Sequence, residues 1–241
     1  MATPGTSPNP LQNSLIRILP ADDRKLLLPM LEHMSVPLGH VFYEPGDRLE
    51  FLCFPTSAVI SLLYTTEDGS TAEMGLAGND GVVGIALFLG GETTPNRAVA
   101  QIAGDAFRMQ AKSVYREFAR GGPLQRVLLR YTQALITQIS QTAVCNRLHS
   151  VEQRLCRWLL LSHDRVNSNE LMMTQEFISN MLGGRRESVT VAAGHLQDAG
   201  LINYSRGRIV IRNRKGLEAA SCECYRIVRD EHNRLISTPP V

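Results

Sequence analysis

Proline distribution divides this chain into two parts of different character. Prolines recur up to Pro123, and none follows until Pro239. Because proline lacks a backbone N–H and clashes with the preceding helical turn, long helices are confined to proline-free sequence. We therefore predict an α+β protein with a sheet in the first part and helices in the second.

The sequence between Val36 and Ala111 alternates short apolar runs with turn sequences. The turn sequences are EPGD (44–47), EDGS (67–70), AGNDG (77–81), LGGE (89–92) and AGDA (103–106). Such even spacing is typical of antiparallel strands, and we predict a β-roll or jelly roll. Before it, from Ser14 to Met34, leucine and isoleucine spacing predicts short amphipathic helices interrupted by proline.

A long helix is predicted to follow Pro123. Its apolar stripe comprises Leu124, Leu128, Tyr131, Leu135, Gln138, Thr142 and Cys145. These residues recur in steps of four and three, which is the spacing of a coiled-coil seam. A helix between two globular parts lacks an obvious partner within the chain, so we predict that the stripe forms a parallel homodimer. Packing of the same stripe on the roll is the alternative.

The stretch from residue 174 to residue 202 has the pattern of a helix-turn-helix. Thr174 suits the N-cap of QEFISNML, and Gly183 with Gly184 can turn the chain at that helix's end. The next helix has an apolar stripe at i, i+3, i+4 and i+7, formed by Val189, Ala192, Ala193 and Leu196. Its amino-terminal residues are thereby predicted to face outward.

In a DNA-binding helix-turn-helix, those outward residues reach base edges in the major groove. An arginine can bind guanine and a glutamate can accept from cytosine. We predict that the base-reading residues are Arg186, Glu187, Thr190 and Val191. We predict that the phosphate-binding residues are Thr174, Gln175, Arg185, Ser188, Arg206 and Arg208.

The sequence INYSRGRIVI, which follows these helices, is typical of a β-hairpin with arginines at its tip. A hairpin beside a helix-turn-helix is a wing. The whole chain has a formal net charge of only +2, so nucleic-acid binding requires a local basic surface. Residues 185–215 carry seven arginines and lysines, with Arg212, Arg214 and Lys215 predicted to extend the surface, although each arginine alone could be an ordinary surface residue.

The order of roll, long helix and winged helix resembles the Crp/Fnr superfamily of bacterial transcription factors, over about residues 14–225. The resemblance is carried by EPGD at 44–47, by GNDGVVGIALFLGG at 78–91, and above all by LGGRRESVTVAAGHLQDAGLI at 182–202. It implies a cyclic-nucleotide-binding-type β-roll, a coiled-coil dimerisation helix and a winged helix-turn-helix. Arg186-Glu187-Ser188-Val189 matches the family's recognition helix. The family's third base-reading position, usually arginine, is occupied here by Val191. This difference implies an altered palindromic site.

The family's cyclic-nucleotide pocket is degenerate here. Its positions fall on Gly84, Ile85, Arg97 and Ala98. Ile85 replaces the glutamate that would hold the ribose hydroxyl, and an aliphatic side chain cannot accept that hydrogen bond. We predict that the protein is not gated by cyclic AMP, and that Arg97 is a surface or structural residue of the roll.

No cofactor or metal ion is predicted from the sequence, and the effector is left open. Cys222 and Cys224 form a C-x-C pair that is too small for a zinc or iron–sulfur site by itself. The histidines show no metal-ligand spacing. Cys145 lies on the predicted seam, where packing is favoured over a redox contact between two copies. The odd number of cysteines, without a signal peptide or an apolar span, indicates the cytoplasm.

These features together predict a homodimeric, sequence-specific DNA-binding transcription regulator. The expected divisions are a disordered tail (1–13), a roll acting as sensor (14–120), a dimerisation helix (121–148), the winged helix-turn-helix (149–225), and a carboxy-terminal helix and tail (226–241). Double-stranded DNA and a second copy are the expected partners, RNA polymerase is a further candidate, and no membrane association is expected. No nucleophile motif or P-loop indicates an enzyme. The alternative is an effector-sensing or protein-docking module whose winged helix no longer reads DNA.

Overall fold

The amino-terminal half of the protein is an antiparallel β-roll. In the computed structural model, which describes residues 8–237, its strands are β1 (Leu31–Val36), β2 (Val41–Tyr43), β3 (Phe51–Pro55), β4 (Val59–Thr65), β5 (Thr71–Ala77), β6 (Arg97–Ile102) and β7 (Gly104–Gln110). They form two sheets in the orders β1-β7-β3 and β2-β6-β4-β5. Gly46 and Gly69 adopt positive φ in the EPGD and EDGS turns, which are conformations that glycine tolerates best. The predicted roll is confirmed.

Short helices cover the roll, and two details differ from the expectation. Helices α1 (Ser14–Arg17) and α2 (Ala21–Leu27) precede the sheet, but residues 31–34, predicted helical, belong to β1 because their backbone pairs with β7. Residue 13, which the expected tail included, packs against the roll. Asn13 is fully buried, and its side-chain amide donates to the carbonyl oxygens of Pro55 and Gly81, each at 2.9 Å. Residues 1–7 lie outside the described part of the chain.

Helices α3 (Ala86–Leu89) and α4 (Ala111–Ala119) also belong to the roll. The 26-residue helix α5 (Pro123–Leu148) leads from the roll to the carboxy-terminal half. Pro123 occupies the first turn of α5, where its missing N–H costs nothing. The long helix expected after Pro123 is therefore present.

The stripe assigned to the dimer seam is buried within the same chain, so that assignment is wrong. All seven residues, Leu124, Leu128, Tyr131, Leu135, Gln138, Thr142 and Cys145, are at most 9% exposed. Tyr131 donates its hydroxyl to the Val82 carbonyl at 3.1 Å, and Gln138 donates its amide to the Leu76 carbonyl at 3.1 Å. The roll therefore covers the stripe from Leu124 to Gln138, whereas Thr142 and Cys145 contact Arg157 and Cys222 of the carboxy-terminal half.

The carboxy-terminal half contains α6 (Val151–His163), β8 (Glu170–Met172), α7 (Gln175–Leu182), α8 (Arg186–Asp198), β9 (Ile202–Ser205), β10 (Arg208–Ile211), α9 (Arg214–Ala220) and α10 (Glu223–Ile236). Ser150 and Gln153 form a capping box that starts α6 directly after α5 ends. The strands form one sheet in the order β8-β10-β9. Helix α10 packs back along α5, and its Leu235 and Ile236 join the core of the roll.

The two halves share a hydrophobic core. Val59, Leu63 and Leu76 of the roll pack in one cluster with residues of α6, α7 and α8, including Trp158. Burial of these side chains holds the helix-turn-helix against the sheet β2-β6-β4-β5.

Candidate nucleic-acid interface

Helices α7 and α8 form the helix-turn-helix. The Thr174 hydroxyl accepts the backbone N–H of Phe177 at 3.1 Å, which caps α7 as its side-chain chemistry predicts. Gly183 ends α7 in the left-handed conformation, with φ of +58°. The chain then turns within three residues and α8 begins at Arg186.

Helix α8 has one buried and one exposed face. Its buried residues are Val189, Ala192, Ala193 and Leu196, which pack against α6 and α7. Its exposed residues include Arg186, Glu187, Ser188, Thr190 and Val191, and the N-cap Arg185 before them is exposed as well. Val191 is 57% exposed, which is high for a β-branched apolar side chain. The protein thus presents donors, acceptors and one apolar group on a single helix face.

A groove lies between the start of α7, the start of α8 and the wing. Thr174, Gln175, Arg186, Tyr204 and Arg206 line it. The Thr190 hydroxyl donates to Gln175 Oε1 at 3.2 Å and links the two helices. The amino-terminal N–H groups of α7 and α8 favour an anion in this region, and the two arginines add positive charge. The structure therefore places four predicted DNA-contact residues around one concave surface.

The wing is the hairpin of β9 and β10. Arg206 and Gly207 connect these strands, and both have positive φ, as a tight two-residue hairpin turn requires. Arg206 is exposed at the tip, whereas Arg208 forms an ion pair with Glu170 on the neighbouring strand β8. The two predicted phosphate ligands therefore differ in how freely they can approach DNA.

Arg214 does not belong to the basic surface, contrary to the expectation. Its guanidinium forms ion pairs with Asp164 and Glu218 and donates to the Tyr225 hydroxyl at 2.7 Å. These contacts join α9 to α6 and α10. Arg212 and Lys215 are exposed.

The degenerate effector positions are occupied by contacts within the roll. Gly84 has φ of +103°, and a Cβ there would lie 2.9 Å from the Phe51 carbonyl oxygen. Ile85 packs against the roll core, and Ala98 is fully buried on β6. Arg97 forms a 3.2 Å ion pair with Glu44, which gives its charge a partner in the chain.

The cysteines of the carboxy-terminal half are arranged differently from the expectation. Cys145 packs inside the chain, the alternative favoured from the sequence, but its neighbour was not expected: its sulfur lies 3.4 Å from that of Cys222. Cys222 and Cys224 are not an isolated pair either, because Cys145 and His149 complete a four-residue group with their potential ligand atoms within 4.8 Å of one another. Sequence spacing could not show this, because the two pairs lie far apart along the chain.

Fold and surface together define a winged helix-turn-helix protein with an attached β-roll. Residues 153–220 match the family model described as a Crp-like helix-turn-helix domain. No curated protein matches the chain. Within the described residues, no helix combines the length and apolar character needed to cross a membrane.

Solved structures share this fold over about four fifths of the chain. FixK2 of Bradyrhizobium japonicum is 17% identical, with a TM-score of 0.69 over 80% of this chain and 98% of its own. A Crp/Fnr-family regulator of Thermus thermophilus is 21% identical, with a TM-score of 0.62 over 79% of this chain and 98% of its own. CLP of Xanthomonas campestris, described as a c-di-GMP-responsive global regulator, is 16% identical, with a TM-score of 0.63 over 80% and 99%. The chain therefore contains a Crp-like helix-turn-helix domain and has the fold of the Crp/Fnr transcription regulators, as the sequence resemblance predicted.

Proposed function

We propose that this protein is a homodimeric transcription regulator that reads a palindromic DNA site through α8. The observation that carries the proposal is the exposed group Arg186-Glu187-Ser188 at the start of a helix whose opposite face is buried. In a winged helix-turn-helix, this end of the second helix enters the major groove. The groove beside it, with Arg206 at the wing tip, would follow the phosphate backbone.

The chemistry of the exposed residues assigns separate roles. Arg186 would bind O6 and N7 of guanine and Glu187 would accept from N4 of cytosine, while Val191 would contact a thymine methyl group. Gln175 is held toward α8 by Thr190, and the start of α7 would orient the protein on a phosphate. Arg185, Ser188 and Arg206 would add phosphate contacts that carry no sequence information.

The outer face of α5 is the surface that we assign to the dimer interface. Its exposed residues Arg126, Leu129, Gln133, Ile136, Ser140, Ala143 and Arg147 recur in alternating steps of three and four. Leu129 and Ile136 are 46% and 58% exposed, and Val144 is exposed beside them. Two copies packed along this stripe would bury these side chains around a two-fold axis. The two α8 helices would then be related by the same axis, as a palindromic site requires.

We also propose that cyclic AMP does not gate the protein. Arg97 is paired with Glu44, and Ile85, at the position of the family's ribose-binding glutamate, packs against the core of the roll. A cyclic nucleotide would have to displace that ion pair and bury its ribose without the hydrogen bond, which costs about 1–3 kcal/mol.

Selection of DNA from a random duplex library by the full-length protein tests the proposal. The expected product is an inverted repeat with half-site centres about 34–36 Å apart, or a multiple of that spacing. Added cyclic AMP should leave the affinity for this site unchanged. Binding that depends on salt but enriches no sequence would contradict the proposal and favour a winged helix that no longer reads DNA.

A further inference from the structure

Four metal-ligand side chains converge where α5 ends and α10 begins. Cys145 and His149 stand one helical turn apart, at the end of α5 and directly after it. Cys222 is the N-cap of α10, and Cys224 lies in that helix's first turn. The Cys145 and Cys222 sulfurs are 3.4 Å apart, and the Cys224 sulfur lies 3.6 Å from His149 Nδ1. All three cysteines are at most 4% exposed.

We propose that Cys145, His149, Cys222 and Cys224 bind one divalent metal ion of the zinc class in a tetrahedral Cys3His site. Three thiolates with one imidazole form a ligand set typical of structural zinc. With metal–sulfur bonds of about 2.3 Å, the edge between two sulfurs of a tetrahedron is about 3.8 Å. The four potential ligand atoms already lie within 4.8 Å of one another, so only small side-chain shifts would close the site.

The surroundings of His149 fit a ligand role. Its Nδ1 faces Cys224, while its Nε2 lies 3.4 Å from the Glu223 carboxylate. A carboxylate that accepts the second ring N–H fixes the tautomer and makes the imidazole a better ligand. The free Nδ1 lone pair would then point into the cluster.

The position of Cys222 favours a thiolate. Cys222 is the N-cap of α10, and thiolates are stabilised at helix amino-termini. A divalent ion with three thiolates has a net charge of −1. The buried Arg157 supplies a positive charge near the cluster, because its guanidinium donates to the hydroxyl of Thr142, one helical turn before Cys145, at 3.1 Å.

Two other uses of these residues fit the geometry less well. An iron–sulfur cluster places inorganic sulfide and several irons between its cysteines, whereas these ligand atoms converge on a space for a single ion. A Cys145–Cys222 disulfide would use two of the four groups and would not require His149 and Cys224 beside them. The ion would instead use all four and fix α10 to the end of α5, directly before α6 begins.

Metal analysis of the full-length protein, purified with a thiol reductant, tests the site. Wild type should contain about one zinc per chain, and the metal-stripped protein should take up one cobalt(II) with the thiolate charge-transfer and tetrahedral d–d bands. Cys224→Ser should lose both signals. Cys53→Ser, which removes a buried cysteine of the roll far from the cluster in the fold, should retain them.

A surface variant keeps the test valid if Cys224→Ser does not fold. Glu223 is 59% exposed in its side chain, and Glu223→Gln should fold normally but bind cobalt about tenfold more weakly. Three results would overturn the proposal: no stoichiometric metal uptake by wild type, identical cobalt spectra in folded wild type and Cys224→Ser, or a Cys145–Cys222 disulfide in metal-free protein purified under reductant.

Discussion

Trp158 of α6 donates its indole N–H to Oε1 of Glu73 on β5 at 2.9 Å, which joins the winged helix to the roll through a buried hydrogen bond. The second carboxyl oxygen of Glu73 has no hydrogen-bond partner among residues 8–237. Burial raises the pKa of Glu73 to about 7, against the lowering effect of Arg157, Arg165 and two hydrogen bonds. The folded state is therefore favoured by protonation of Glu73, because desolvation of the carboxylate outweighs the arginines and hydrogen bonds that favour its charged form.

Glu73→Gln should remove a pH dependence from folding stability. The pKa of Glu73 is raised in the folded state, so its ionisation destabilises the fold progressively as pH rises from about 4.5 to about 7. Glutamine keeps an oxygen acceptor for Trp158 and stays neutral. Urea unfolding should show the variant gaining up to about 3 kcal/mol over wild type above about pH 7, and little near pH 4.5. A difference that is constant with pH would contradict this role for Glu73.

The outer and inner stripes of α5 should respond differently to substitution. Ile136→Glu places a charge on the proposed dimer interface and should weaken the dimer at least about tenfold, measured by sedimentation equilibrium, without unfolding the monomer. Leu38→Glu, at an apolar side chain of the roll that is 63% exposed, should leave the dimer intact. Leu135→Ala should instead reduce folding stability by about 2–5 kcal/mol, because Leu135 is only 3% exposed in the monomer. A dimer unchanged by Ile136→Glu would place the interface elsewhere.

The two arginines of the wing should contribute unequally to DNA binding. Within the described residues, Arg208 is paired with Glu170, whereas Arg206 forms no ion pair. Arg206→Ala should weaken binding to all sequences alike and reduce the salt slope by about one, as loss of a phosphate contact does. Arg208→Ala should have a smaller effect on the same titrations. Equal slopes for the two variants would show that the ion pair with Glu170 does not restrain Arg208.

Val191 should determine which base is preferred at one position of each half-site. It is 57% exposed, so a longer side chain can be accommodated without disturbing the core. Val191→Arg should introduce a preference for guanine of about 1–3 kcal/mol, seen as a changed base in a repeated library selection. Val191→Ala is the matched control and should introduce no guanine preference. If wild type and Val191→Arg select the same sequences, Val191 does not contact a base.

Local patterns were sufficient to predict the helix-turn-helix. The cap at Thr174, the turn at Gly183 and the buried stripe from Val189 to Leu196 depend on side chains within a few residues of one another. The helix order and the wing follow from the same short-range signals. The prediction from the sequence and the structure agree most closely in these features.

Contacts over long sequence distances could not be predicted in the same way. Helix α5 has steps of three and four on two faces, one through Leu128 and Leu135 and one through Leu129 and Ile136. Periodicity alone cannot decide which face meets the roll. Likewise, Cys145 and Cys222 are 77 residues apart, and only the packing of α10 on α5 brings them together. The sequence signal that could have pointed to this cluster is His149, which follows Cys145 by one helical turn.

The most direct measurement of the proposed DNA reading is the affinity of Arg186→Ala for the selected site and for a scrambled duplex at the same salt concentration. If Arg186 binds a guanine, the ratio of the two affinities should fall by the factor that corresponds to about 1–3 kcal/mol, while binding to the scrambled duplex changes little. Lys25→Ala, which removes one positive charge from the exposed surface of α2, should leave the ratio unchanged. Equal weakening on both duplexes by Arg186→Ala would show that Arg186 contacts phosphate, and would contradict base reading by the start of α8.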